Sequence, residues 1–108
     1  MPERTRKGTR VSCDISAMLA FLNSPDLSFE PCRIIIVNPQ ECGIRFTRPL
    51  ELGTRVQLQG LPTNRNVVAR AVNCTDLRPY EKSWFIQLAL DEPGNVWGIE
   101  KPPEDWQI

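Results

Sequence analysis

Histidine does not occur in the sequence. Its absence removes the commonest general base, and with it every Ser-His-Asp or Cys-His nucleophile arrangement. Close cysteine pairs are missing too. The four cysteines are Cys13, Cys32, Cys42 and Cys74, and none stands in the Cys-x-x-Cys spacing that structural metal sites use. No Gly-rich phosphate loop is present. No catalytic residue and no metal ligand is therefore nominated, no cofactor is expected, and the chain does not read as an enzyme. No apolar run approaches the ~20 residues of a membrane helix. The polar, basic start lacks the apolar stretch of a signal peptide. The expectation is a cytoplasmic protein with no membrane insertion, whose cysteines stay reduced. A net charge of zero, from 13 cations and 13 anions, gives no overall attraction to DNA or RNA.

What is there is one domain's worth of chain. The 108 residues are 41% hydrophobic and 24% charged, ordinary values for a globular protein. Charge is uneven along it. Arg4, Arg6, Lys7 and Arg10 face only Glu3 in the first ten residues. Asp91, Glu92, Glu100, Glu104 and Asp105 outnumber Lys101 near the end. Residues 1–10 read as a flexible basic arm, and residues 11–108 as the folded domain with its tail.

Apolar residues alternate with polar ones over much of that domain. Val11, Cys13, Ile15, Ala17, Leu19 and Phe21 occupy the odd positions of the first segment, the period of a half-buried strand. Helix formers in 17–22 leave a helix there as an alternative. Further strands are expected over 32–37, 44–46, 56–58, 67–72 and 83–90, separated by turns rich in Gly, Pro and Asn. Short strands about ten residues apart point to a barrel or a sandwich, and the expectation is an all-β antiparallel barrel. Ile34, Ile36, Ile44, Phe46, Val56, Leu58, Val68, Ile86 and Leu88 are its expected core. Trp97 and Trp106 in the tail are expected to pack on the body.

Two segments carry the functional reading. Arg6-Lys7-Gly8-Thr9-Arg10 is an Arg-x-x-x-Arg, and Asn38-Pro39-Gln40-Glu41-Cys42-Gly43 follows an apolar strand. Together, and in this order, they resemble the PilZ family, whose signature is Arg-x-x-x-Arg followed by Asp/Asn-x-Ser-x-x-Gly. The resemblance runs on through Gly53-Thr54-Arg55-Val56, the strand from Trp84, and the endings 93–99 and 102–106. It implies a small six-stranded PilZ-like barrel of bacterial origin with short flanking segments. It also implies a second-messenger receptor for cyclic di-GMP, whose arm closes over the ligand.

The implied ligand-binding residues are Arg6, Arg10, Asn38, Gln40 and Gly43. Their chemistry suits two guanines joined by two negative phosphodiesters. An arginine fork matches guanine O6 and N7 or phosphate oxygens. Asn38 offers a carboxamide to a base edge, and Gly43 permits a positive φ or a close approach. Gln40 stands where the family has serine. A second reading therefore remains beside the first: a degenerate PilZ domain that binds no nucleotide and acts on a protein partner.

Overall fold

The computed structural model describes residues 8–25 and 28–106. It contains six strands and no α-helix among those residues. They are β1 (Val11–Phe21), β2 (Phe29–Val37), β3 (Glu41–Phe46), β4 (Arg55–Gln59), β5 (Val67–Asp76) and β6 (Trp84–Leu90), followed by a short 3-10 turn at Glu104–Trp106. The order β1-β2-β3-β6-β5-β4 closes on itself, because β1 pairs with both β2 and β4. Every pairing is antiparallel. The first segment is strand throughout, since its odd-numbered side chains from Ala17 on have a core to enter.

The inward face is apolar. Leu19, Ile34, Ile44, Phe46, Val56, Leu58, Ile86 and Leu88 are all at most 1% exposed. Two expected core residues differ. Ile36 is half-buried, because Ile34 pairs with Ile44 while Ile36 pairs with Gly43. The extra residue in β2 is a bulge that reverses the parity, so Val37 turns inward instead. Val68 is half-buried as well, while Val67, Ala69 and Ala71 point in. Arg70 shares the parity of Val68, and a guanidinium has no place in the barrel interior. A second bulge lies between Ala71 and Asn73, after which Cys74 is the residue facing the core cluster.

One barrel end is capped by the segment after β6. Val96 and Trp97 are buried there. The Thr63 hydroxyl donates to the Val96 carbonyl at 2.7 Å, which ties the cap to the β4–β5 loop. The Gly94 N–H donates to the Pro39 carbonyl at 2.7 Å, which ties it to the β2–β3 turn. The functional candidates gather at this end.

Candidate functional site at the β2–β3 corner

Asn38 is buried at the head of the β2–β3 turn. Its Oδ1 accepts from the Gln40 and Glu41 N–H groups at 2.8 and 2.9 Å. Its Nδ2 donates to the Gly8 carbonyl at 3.2 Å, and its own carbonyl accepts from the Trp97 indole at 2.8 Å. The side chain thus folds the turn and anchors the arm at once, as a buried amide must to satisfy both its ends. Gly8 completes the contact. Its φ is 129°, and a Cβ there would lie 2.7 Å from Pro39 Cδ.

The next residues are held by the chain's other end. The Thr9 N–H donates to both Asp105 carboxylate oxygens at 3.0 Å. The Thr9 hydroxyl donates to Asp105 Oδ2 at 2.8 Å, and the Trp106 indole donates to the Thr9 carbonyl at 2.6 Å. Trp106 is buried. Thr9 of the first segment and Asp105 and Trp106 of the last therefore meet, through the Thr9 backbone and hydroxyl, one carboxylate and one indole N–H. Residues 1–7, Arg6 among them, lie outside the described residues, so only 8–10 of the expected arm are placed here.

Arg10 follows directly. Its guanidinium stands 3.6 Å from Glu41 Oε1, and its side chain is 49% exposed. Arg10, Ile36, Glu41, Gly43 and Gln87 line a crevice of about 10 Å³, which is no larger than a single water. Any larger ligand here would rest on the outer face of the sheet. Gly43 is not a positive-φ residue. Its smallness serves close approach: a Cβ would lie 2.4 Å from Phe85 Cζ and 2.8 Å from an Ile36 methyl. The Phe85 ring is seated on bare glycine backbone. Gln40 is half-buried, and its carbonyl accepts from the Leu90 N–H at 2.8 Å.

Four of the five expected residues, Arg10, Asn38, Gln40 and Gly43, thus share one corner. Asn38 differs from the others in having both the oxygen and the nitrogen of its carboxamide bonded within the protein. Glu41, Phe85 and Gln87 belong to the corner and were not expected. Gln87 was legible in principle, as a polar residue on the outward parity of the last strand; its Oε1 accepts from Asn73 Nδ2 at 3.1 Å. Phe85 carries no such mark, because its role depends on a bare glycine two strands' worth of sequence away.

The thiols are all free. Burial pushes the Cys32 thiol up to about 11. Burial also raises Cys42 well above its ordinary value, and the neighbouring Cys32, Cys13 and Glu41 add to this. Cys13 is raised by burial and by the Asp14 carboxylate. These are protonated apolar fillers at neutral pH. No group of three or more His, Cys, Asp or Glu side chains among the described residues is placed to hold a metal ion. A separate groove of about 580 Å³ is lined by residues of β1, β2 and β3, among them Met18, Pro31, Arg33 and Arg45.

No family model, curated protein or solved structure matches this chain. The class it falls in is that of closed, six-stranded antiparallel β-barrels.

Proposed function

We propose that this chain is a cyclic di-GMP-binding signalling domain of the PilZ kind, acting without catalysis in the bacterial cytoplasm. The observation that carries the reading is the convergence at the β2–β3 corner. Arg10, from one motif, stands against Glu41, within the other, and Gly43 lines the same crevice. Arg10 exchanges Glu41 for the ligand, placing its fork on guanine O6 and N7 or on a phosphodiester. Arg6 joins from the preceding residues. Asn38 is a positioning residue, which shapes the turn and holds Gly8. Gly43 lines the crevice beside it, and Gln40 ties the turn to β6 through its carbonyl.

Calorimetric titration of the chain with cyclic di-GMP, with cyclic di-AMP as control, tests the reading. Saturable heat with the guanine ligand alone is expected. Arg10→Ala should cost about 1–3 kcal/mol of binding, the range for a bidentate guanine contact. Arg10→Lys should restore only part, because an ammonium lacks the planar fork. The half-exposed Arg10 contributes little to folding, so thermal stability should hardly move.

A second reading draws on Asn38 and Phe85. With the carboxamide engaged and the ring seated on Gly43, the corner is a finished surface, suited to a protein partner. Absence of heat with cyclic di-GMP, in both the wild type and Gln40→Ser, would transfer the conclusion to that reading.

A further inference from the structure

We infer that Arg70 on β5 forms the far wall of the same site, so that the ligand is gripped by cations on two opposite sides. The inference rests on the receptor reading above. The strand register sets it up. Glu41 of β3 pairs with Ala89 of β6, Ala89 pairs with Arg70 of β5, and Arg70 pairs with Arg55 of β4. Directly paired residues share one face of a sheet. Arg70 and Arg55 are exposed, which makes this the outer face.

The row has the shape of a trough. Neighbouring strands lie about 4.8 Å apart, so the Cα atoms of Glu41 and Arg70 are about 10 Å apart across Ala89. Ala89, between them, is small, so the floor of the row is low there, while the space over Gly43 two residues along β3 is filled by the Phe85 ring. Arg10, drawn to Glu41, walls one side, and Arg70 walls the other.

The charges along the row point to an anion. Arg55 and Arg70 stand directly opposite each other, an arrangement that like charges make unfavourable. Arg55 is compensated, since its guanidinium contacts the Asp91 carboxylate. Arg70 has no ion-pair partner among the described residues. Its fork is left open to solvent beside the trough. A ligand with a single phosphate satisfies one wall only. A cyclic dinucleotide, with two phosphodiesters on one ring, presents negative charge to both.

Titration of the whole chain with cyclic di-GMP at several salt concentrations tests this. The variants are Arg70→Gln, Arg10→Ala and Lys82→Gln. Lys82 is exposed in the β5–β6 loop, at the other barrel end, so its variant removes one charge away from the trough. Arg70→Gln should weaken binding about tenfold or more and flatten its salt dependence. Lys82→Gln should change it less than about twofold. Equal losses in Arg70→Gln and Lys82→Gln would overturn the inference, as would wild-type affinity in Arg70→Gln. In either case a loss in Arg10→Ala would leave the receptor reading standing. No heat with the wild type would end that reading, and this inference with it.

Discussion

A methyl group added to Gly43 would enter the Phe85 ring, with its carbon 2.4 Å from Cζ. Ring and backbone must then separate, and overpacking of this kind costs about 1–3 kcal/mol. Gly43→Ala should destabilise the barrel by that amount in urea unfolding. The Phe85 ring makes the two closest approaches and an Ile36 methyl, at 2.8 Å, a third, so Phe85→Ala should remove the larger part of the penalty and leave the share owed to Ile36. A double-mutant cycle should accordingly give a coupling of about 1 kcal/mol or more, favouring the double variant over the sum of the singles. Additive losses would show that Gly43 answers to something other than the ring. Asn38 poses the matching problem for a polar group. An exposed amide would be free to read a base, but this one spends both ends on the fold, and its identity alone does not tell the two roles apart.

Among the elements, the 3-10 turn at Glu104–Trp106 does the most with the fewest residues. Asp105 and Trp106 together engage the N–H, hydroxyl and carbonyl of Thr9, one residue before Arg10. Trp106→Phe keeps a buried, smaller aromatic ring and removes the indole donor. A single such hydrogen bond is worth about 0.5–1.5 kcal/mol. The amides of Thr9 and Arg10 should exchange several-fold faster in this variant, while those of β5 and β6 keep their protection. Uniform loss of protection would assign Trp106 to the core instead of the clasp. That the tail tryptophans pack inward could be read from the sequence, because large aromatics in a tail need cover. That Trp106 bonds to Thr9 could not, since no local pattern links residues so far apart. The strands show the same division. Alternation around Ile44, Val56 and Ile86 named the inward face directly. At Ile36 and Val68 it failed, because a bulge shifts parity without changing composition, and because a run such as Val67-Val68-Ala69 is apolar on both parities. Arg70 was the marker that would have settled the second case.

For the whole molecule, the interior thiols set an upper limit in pH. The Cys32 thiol is raised from 9.0 to about 11, and Cys13 and Cys42 are raised as well. Burial favours the neutral thiol, so the unfolded chain loses these protons at lower pH than the folded one. The stabilisation is complete below about 9 and is lost as pH rises toward 11. Urea midpoints should therefore fall between pH 9 and pH 11. Cys32→Val, an apolar residue of similar size, should make that fall shallower. An unchanged slope would show that Cys32 is not among the groups responsible.

The clasp between Thr9 and Asp105 also makes the described chain a ring in all but covalent terms. Strand β1 already bonds to β4, and the two flanking segments meet beside the β2–β3 turn. In a fold of this form the first and last described segments lie side by side. Such a fold asks of its surroundings only one entry point with an exit alongside. It could be carried as a cassette in a surface loop of a larger protein, with neither host nor guest stretched across the junction.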